Sequence, residues 1–156
     1  MKKETKQLII NIAIPLLVGA TAGFLTRGGM ELFKNLNKPP LSPPAWLFPI
    51  VWTILYILMG AGSFLVGQQG KHREDVQSAL ATYGLQLFFN FVWPILFFNL
   101  GWYIFAFGWL AVMWVLIVRM ILKYYKVDKT AAYLMFPYLF WTSFAGYLNL
   151  AISFLN

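Results

Sequence analysis

Long stretches without a charged side chain alternate with short polar segments along this chain of 156 residues. Asp, Glu, Lys and Arg are absent from four runs: 7–26, 39–70, 76–118 and 130–156. About 20 apolar residues cross the hydrocarbon core of a bilayer as a helix. Each run is long enough for one crossing, and 76–118 is long enough for two, with Asn99-Leu100-Gly101 as its flexible break. The pattern therefore predicts an all-α membrane protein, a single five-helix bundle over 1–156. The predicted helices are 8–27, 45–68, 76–98, 102–124 and 130–154, with a long loop at 28–44.

The composition supports a membrane protein. Hydrophobic residues make up 60% of the chain and charged residues only 11%, whereas a soluble domain averages about 25% charged residues. The first apolar run follows Lys2, Lys3 and Lys6, as the apolar part of a signal peptide would. It exceeds the usual length of roughly 7–15 residues, and no clear small-x-small cleavage site ends it. We therefore interpret it as a retained first helix.

The net charge of +7 raises the question of a nucleic-acid partner. With five crossings, the N-terminus, the 69–75 loop and the 119–129 turn share one side of the membrane and carry nine basic residues. The other side carries three: Arg27, Lys34 and Lys38. Such an excess of Lys and Arg is typical of cytoplasmic loops. The charge thus indicates an integral membrane protein with a cytoplasmic N-terminus. The expected location is a bacterial cell membrane. Its partner is the lipid bilayer and not nucleic acid.

The chain contains no cysteine, and its single histidine, His72, lies in the charged loop KHRED at 71–75. A His–carboxylate metal site is one interpretation of this loop, and a solvated loop is the preferred one. No Asp, Glu, Lys, Arg or His lies in the middle of a predicted span, which argues against a proton relay, a Ser-His-Asp triad or a metal hydrolase. Haem iron would lack its common His or Cys ligands in the bundle. A flat aromatic ligand would therefore be held by stacking, and no cofactor is required.

Polar and aromatic side chains recur at spacings of three and four on three predicted helices, which places them on one face of each. The second helix carries Trp52, Tyr56, Met59 and Ser63, the third Tyr83, Gln86, Asn90, Trp93 and Phe97, and the fifth Tyr138, Trp141, Ala145 and Asn149. A lipid-facing amide is costly in hydrocarbon, so these faces should turn inward. Two interpretations stay open. The faces form interhelical hydrogen bonds worth about 0.6 kcal/mol each, or they line a ligand cavity.

Prolines and small residues interrupt this pattern. Pro94 lacks the N–H that would reach the carbonyl of Asn90, and Pro49 and Pro137 are expected to free carbonyls likewise. Freed carbonyls at membrane depth need a partner in the protein or in a polar cavity, and a packing kink is the simpler explanation of each proline. The GxxxG segment 19–23 predicts either close helix packing or a dimer contact.

Three longer segments resemble a known family. The translocator protein or tryptophan-rich sensory protein (TspO/MBR) family has motifs similar to KPPLSPPAWLFPIVWTILYILMG at 38–60, YGLQLFFNFVWPILFF at 83–98 and FPYLFWTSFAGYLN at 136–149. The resemblance covers essentially the whole chain. It implies a five-helix bundle, commonly dimeric, that binds porphyrins, haem and hydrophobic drugs between its helices. It also implies that the first loop folds over the pocket as a lid, which its prolines stiffen, and Ser42 or Pro43 can begin the second helix.

Matched by motif, Trp52 and Trp141 are similar to pocket tryptophans that the family links to porphyrin photochemistry. Asn90, Trp93 and Ala145 are similar to pocket-lining positions. The stripes and the resemblance together predict the ligand-binding residues Trp52, Tyr56, Gln86, Asn90, Trp93, Tyr138, Trp141, Ala145 and Asn149. The predicted lid residues are Phe33, Pro39, Pro40, Leu41, Pro43 and Pro44. The lid departs from the family because Leu32-Phe33 stand where Trp-Tyr is common and Leu41 where tryptophan is usual, so it offers fewer rings.

Three functions fit this predicted site. The first is a sensor or scavenger that binds tetrapyrroles, with porphyrin or haem as its ligand. The second is light-driven oxidative breakdown of bound protoporphyrin IX, with Trp52 and Trp141 as electron or radical partners. The third is a transporter or carrier of tetrapyrroles or lipids. The absence of charged side chains in the middle of the spans argues against ion-coupled transport but not against facilitated passage of a ligand across the membrane. Sterol binding through the end of the fifth helix is not predicted, since 148–156 lacks the Tyr and Lys/Arg of the proposed motif.

Overall fold

The computed structural model describes residues 2–156, and helices make up the regular structure of this range. The elements are α1 (Lys3–Phe33), α2 (Leu47–Gly67), α3 (Glu74–Pro94), α4 (Tyr103–Val127), α5 (Lys129–Leu134) and α6 (Phe136–Leu155). One π-helical turn, Ile95–Asn99, continues α3 and is called the π segment below. Within the described chain, five segments are long and apolar enough to cross a membrane: Lys3–Phe33, Leu47–Gly67, Glu74–Asn99, Tyr103–Val127 and Lys129–Leu155. The prediction of a five-helix membrane bundle is confirmed.

Each helix packs on its neighbours in a closed ring. α1 lies against α2 and against α3 with its π segment, α3 packs on α4, α4 packs on α6, and α5 contacts α2. Hydrogen bonds define one end of the bundle, where Gln68 Nε2 donates to Gln7 Oε1 (2.9 Å) and Gln69 Nε2 donates to Asp128 Oδ2 (3.2 Å). We call this the N-terminal end. The opposite end carries the loop 34–46 and is called the loop end.

The first helix is longer than predicted. It begins at Lys3 instead of residue 8 and continues to Phe33 instead of ending at 27, so residues 28–33 of the expected loop 28–44 are helical. The sequence argued against this because Gly28 and Gly29 each cost a helix about 1 kcal/mol relative to alanine. Gly29 lies directly against the backbone of Phe98, where a Cβ would overlap the Phe98 carbonyl. Close packing on the π segment therefore stabilises the last turns of α1.

The second helix begins at Leu47, later than the predicted residue 45 and than Ser42 or Pro43. A proline disfavours the helical conformation of the residue before it, and residues 42 and 43 lie outside regular structure. The Leu47 N–H donates to the Pro44 carbonyl (3.0 Å), and this turn leads into the helix. Pro49 falls in the first turn of α2, where no N–H would have an intrahelical partner. The carbonyl that Pro49 was expected to free is that of Ala45, four residues earlier, and Ala45 lies outside the helix, so this effect is absent.

The third and fifth spans both deviate from a regular α-helix at a proline. The π segment follows Pro94 directly, and its wider turn closes with the Leu100 N–H donating to the Ile95 carbonyl (3.1 Å). The fifth span is interrupted at Met135, one residue before α6, whose second residue is Pro137. Both sites conform to the role of proline as a helix breaker. The fourth span differs from its predicted bounds by three residues or fewer.

Candidate functional site

A cavity of about 660 Å³ lies in the half of the bundle nearest the loop end, between α1, α2, the third span and α6. Its lining is mostly aromatic and aliphatic. The residues are Leu16, Leu17, Gly19, Ala20, Ala22, Gly23, Thr26, Met30, Phe33, Phe48, Pro49, Trp52, Thr53, Tyr56, Asn90, Trp93, Pro94, Phe97, Phe98, Trp141, Ala145, Leu148 and Ile152. In the other half of the bundle the interior is filled by tightly packed side chains such as Met59, Met113 and Tyr124. The cavity is therefore a local feature of the loop-end half.

The inward stripes of three helices converge, but not every predicted site residue reaches the cavity. The lining includes Trp52, Tyr56, Asn90, Trp93, Trp141 and Ala145. Gln86, Tyr138 and Asn149 are buried and lie behind that lining. Tyr138 bonds to Asn90 of the lining, Asn149 bonds to Trp93, and Gln86 bonds to Tyr138. Ligand binding by these nine residues stays a prediction, and the structure gives them two different positions.

A chain of hydrogen bonds forms the floor of the cavity. Tyr56 Oη donates to Asn90 Oδ1 (2.7 Å), and Asn90 Nδ2 donates to Tyr138 Oη (2.8 Å). Tyr138 Oη in turn donates to Gln86 Oε1 (2.7 Å), and Gln86 Nε2 donates to the Tyr83 carbonyl (3.0 Å). We call these linked groups the floor network. It joins α2, α3 and α6, and it satisfies polar groups that would be costly if unpaired in a dry interior.

Trp93 is fixed by the residue behind it. Its indole Nε1 donates to Asn149 Oδ1 (3.0 Å), and Asn149 Nδ2 donates to the Tyr103 carbonyl (2.8 Å). The Trp93 ring also stacks on Phe97 with ring centroids 5.2 Å apart. These contacts hold one wall of the cavity rigid.

Trp52 and Trp141 have different surroundings. The Trp52 ring stacks on Tyr56 (5.6 Å between centroids, 29° between planes) and meets Tyr138 edge-on at 6.2 Å. Trp141 packs edge-on against Phe48 at 5.9 Å. Its indole Nε1 is buried and has no hydrogen-bond partner within residues 2–156. An indole N–H usually finds a partner when it is buried, so the unpaired donor of Trp141 is an exception in this site.

Sequence reasoning missed the wall that α1 contributes. Residues from Leu16 to Phe33 line one side of the cavity, mostly small and aliphatic ones that give no polar or aromatic stripe. The GxxxG segment 19–23 was the available signal, and close helix packing, one of its two expected roles, is present at Gly19, which lies against the Tyr56 ring. Phe98 and Pro94 were also missed as lining residues because they adjoin the irregular π segment.

The predicted lid residues lie at the loop end but largely outside the lining. Phe33 lines the cavity, yet it belongs to the last turn of α1 and not to a loop. Pro39 is buried, Pro40 accepts a hydrogen bond through its carbonyl from Tyr147 Oη (2.8 Å), and Leu41 is 82% exposed with a φ of 70°. Pro43 and Pro44 precede α2. A lid function for this segment stays a prediction.

The lining determines which interactions a ligand can make. It contains no Asp, Glu, Lys, Arg or His among its described residues, so a bound molecule meets rings, aliphatic groups and a few neutral donors. Within residues 2–156, no cluster of three or more His, Asp or Glu side chains could hold a metal ion. Burial and stacking are therefore the forces that this cavity offers.

Comparison with known proteins gives a family and several relatives. The TspO/MBR family model matches residues 11–155. The tryptophan-rich protein TspO of Chlorobaculum tepidum is 36% identical over 157 residues, which cover 100% of this chain and 99% of that protein. The tryptophan-rich sensory protein of Cereibacter sphaeroides is 37% identical over 88% of this chain and 84% of its own. The human translocator protein is 34% identical over 83% of this chain and 77% of its own.

Proposed function

The chain belongs to the TspO/MBR family, and from this premise we propose that it is a membrane-embedded binding protein for porphyrins and other flat hydrophobic molecules. The cavity volume of about 660 Å³ lies within the range of roughly 300–1,000 Å³ found for small-molecule sites. A porphyrin is a flat, conjugated ring system, which stacks favourably on indole and phenyl faces. The proposal includes porphyrin or haem as the ligand.

One observation carries this proposal. Trp141 lines an aromatic cavity in which Asn90, Tyr56 and Trp93 already satisfy their side-chain hydrogen bonds, while its own buried indole N–H has no partner within residues 2–156. An unpaired buried donor costs about 1–3 kcal/mol, and a ligand that supplies an acceptor would recover part of that cost. A pyrrole nitrogen or a polar substituent of a tetrapyrrole is such an acceptor. The site therefore combines aromatic walls with one unused polar group.

The test is a titration in the dark. The purified protein in lipid vesicles is mixed with protoporphyrin IX, and binding is followed by the quenching of tryptophan fluorescence. We expect saturable binding, and Ala145→Trp, which fills the cavity, should abolish it. Gly146→Ala is the matched control, since a Cβ there meets only ordinary contact with Leu110 at 3.8 Å. Equal, unsaturable quenching in all three proteins would overturn the proposal.

A second candidate function is light-driven oxidative breakdown of bound protoporphyrin. The contact that favours it is the stack of Trp52 on Tyr56 next to Tyr138. Indole and phenol rings readily give an electron to a photoexcited porphyrin, which passes it to dissolved dioxygen, the oxidant that the breakdown requires. Illumination of the titrated sample separates the two. Binding without decay supports a sensor or scavenger, whereas decay faster than that of free porphyrin supports breakdown. Net flux of porphyrin across the vesicle membrane would instead support a carrier.

The proposal extends to the setting of the protein. Five apolar helices make it an integral membrane protein, and we place it in a bacterial cell membrane with its N-terminus in the cytoplasm. The support is the distribution of basic residues, nine at the N-terminal end and three at the loop end. Assembly as a homodimer is supported by the family resemblance.

A further inference from the structure

The cavity is open on one side. Among its lining residues, the exposed ones all lie on α1 and α2: Leu17, Ala20, Gly23, Pro49 and Thr53. Leu17 is 65% exposed. The lining residues of the third span and α6 are buried or half-buried. We call the gap between the five exposed residues the α1–α2 slit.

The slit arises because α1 and α2 pack closely at the N-terminal end and separate around Gly23. They meet again at the loop end, where the Phe33 and Phe48 rings pack edge-on with their centroids 6.3 Å apart. Gly60 lies against Ile12, and Gly19 lies against the Tyr56 ring, each so close that a Cβ would overlap its neighbour. One helical turn beyond Gly19 the contact ends, since a Cβ on Gly23 would meet nothing within 4 Å. The small residues on this face of α1 therefore leave a space instead of filling it.

Two other sides of the cavity are tied by hydrogen bonds. Asn99 Nδ2 donates to the Leu25 carbonyl (2.9 Å) and joins the part of α1 nearest the loop end to the π segment. The bond from Trp93 to Asn149 ties the third span to α6. The α1–α2 side differs from these because it carries all the exposed residues of the lining.

The loop end is also closed. The Asn37 N–H donates to Asn156 Oδ1 (3.2 Å), and Asn156 Nδ2 donates to the Asn37 carbonyl (2.9 Å). The bond from Tyr147 to the Pro40 carbonyl adds a second link between the loop and α6. A ligand that came from water at this end would have to break these bonds. One that came through the slit would not.

The slit faces hydrocarbon. Leu17, Ala20 and Gly23 lie within the charge-free run 7–26, and the rim is apolar apart from the Thr53 hydroxyl, which donates to the Pro49 carbonyl (2.7 Å). We propose that the cavity exchanges its ligand directly with the bilayer through the α1–α2 slit, so that its ligands are molecules dissolved in the membrane. This inference rests on the proposed function as a binding protein. It adds that the ligand is presented by lipid and not by water.

The experiment uses a thiol inside the cavity. Because the chain has no cysteine, Ala145→Cys places a single thiol on the cavity wall. The full-length variant in lipid vesicles is treated, on both faces of the membrane, with either a lipid-soluble alkylmaleimide or a sulfonated maleimide that stays in water. The modified fraction is followed by mass spectrometry. The blocking variant adds Gly23→Phe in the slit, and the matched control adds Gly108→Phe, since Gly108 is an exposed helical glycine on α4 with equal room for a side chain.

We expect the lipid-soluble reagent to modify the thiol and the sulfonated one to be much slower. Gly23→Phe should slow the lipid-soluble reaction about tenfold, equivalent to about 1.4 kcal/mol in the barrier, while Gly108→Phe should not. Equal rates with and without Gly23→Phe, or faster modification by the sulfonated reagent, would overturn the proposal. An equal slowing by both phenylalanines would overturn it too. Because the reaction needs no porphyrin, its result is independent of the dark titration that tests the proposed function.

Discussion

The tryptophans around the cavity differ in what their indole N–H groups do. Trp93 donates to Asn149 and so forms part of the framework, whereas Trp141 has no partner for its buried N–H in the described part of the chain. Trp52 stacks on a tyrosine of the floor network. A tryptophan that serves the framework should affect stability when it is changed, and one that faces the cavity should affect the ligand.

Replacing both Trp52 and Trp141 by phenylalanine should therefore weaken porphyrin binding only modestly. The ring surface stays, and an aromatic pair contributes roughly 0.5–1.5 kcal/mol beyond its burial, so we expect a loss of about tenfold or less in the dark. Any light-dependent decay should be suppressed, because phenylalanine is much harder to oxidise than indole. Dark affinity and decay under illumination are the measurements. Trp114→Phe is the control, since Trp114 lies outside the cavity lining on α4 and is 40% exposed. Decay at the wild-type rate in the double variant would show that the two tryptophans serve only packing.

From the sequence, the polar stripes could either form hydrogen bonds between helices or line a ligand cavity. In the structure, some of their residues do the first and others line the cavity. Gln86, Tyr138 and Asn149 bond helices together behind the cavity, as interhelical glue would. Trp52 and Ala145 line open space, as a ligand cavity requires. A helical period shows which face of a helix turns inward. It does not show at which residues along that face neighbouring helices are in contact and at which they stand apart. For that reason the sequence alone could not divide the stripes.

Tyr138→Phe tests the framework role. The change keeps the ring and removes the hydroxyl, which leaves Asn90 Nδ2 without its acceptor and Gln86 Oε1 without its donor. Hydrogen bonds between membrane helices average about 0.6 kcal/mol, so two losses should lower the free energy of unfolding by about 1 kcal/mol. Unfolding in mixed detergent micelles measures this, with Tyr133→Phe, 54% exposed, as the control. A stability equal to that of the wild type would mean that water or neighbouring groups replace the network.

At the scale of the helices, the sequence predicts well which segments are helical and which of their faces turn inward. It predicts poorly where each helix begins and ends. Charge-free length and a period of three to four give all five spans and the inward stripes of α2, α3 and α6. The ends depend on contacts between distant residues. Gly28 and Gly29 predict a loop, and the contact that favours the helix, Phe98 against Gly29, is not visible in the sequence. The π segment likewise depends on how the chain passes Pro94 towards α4. The helix propensities of neighbouring residues carry no information about such long-range packing.

The proline-rich loop 34–46 gives a prediction at this scale. Replacing Pro39, Pro40, Pro43 and Pro44 by alanine should weaken ligand binding without unfolding the bundle, because a looser loop has to be ordered when the ligand is bound. The ordering cost is about 1 kcal/mol per freed residue as an upper bound. Dark affinity and amide hydrogen exchange in the loop measure the two effects, and the unfolding of the bundle is the control. If exchange rises while affinity stays unchanged, the prolines shape only the approach to α2.

At the scale of the whole molecule, the bundle is polarised in both packing and charge. The N-terminal half holds the tightly packed core and the loop-end half holds the cavity. The wall from α1 escaped sequence reasoning because a wall made of small residues carries no distinctive pattern. The closure of α1 and α2 around Gly19 and Gly60, followed by their separation at Gly23, is a property of the assembled pair. Composition alone indicates only that close approach is possible.

The charge asymmetry predicts how this polarised bundle sits in the membrane. The N-terminal end carries Lys71 in the exposed segment between α2 and α3, and the loop end carries Lys34, which is also exposed. Since nine basic residues lie at the first end and three at the second, the first end should be cytoplasmic. In intact cells, Lys71→Cys should resist a membrane-impermeant thiol reagent, whereas Lys34→Cys should react with it. Both cysteines should react equally after the cells are permeabilised, which controls for accessibility, and the absence of native cysteine keeps the background low. Labelling of the residue 71 variant and protection of the residue 34 variant would show that the protein has the opposite orientation in the membrane. The loop end would then face the cytoplasm, and the cavity would lie in the inner leaflet instead of the outer one.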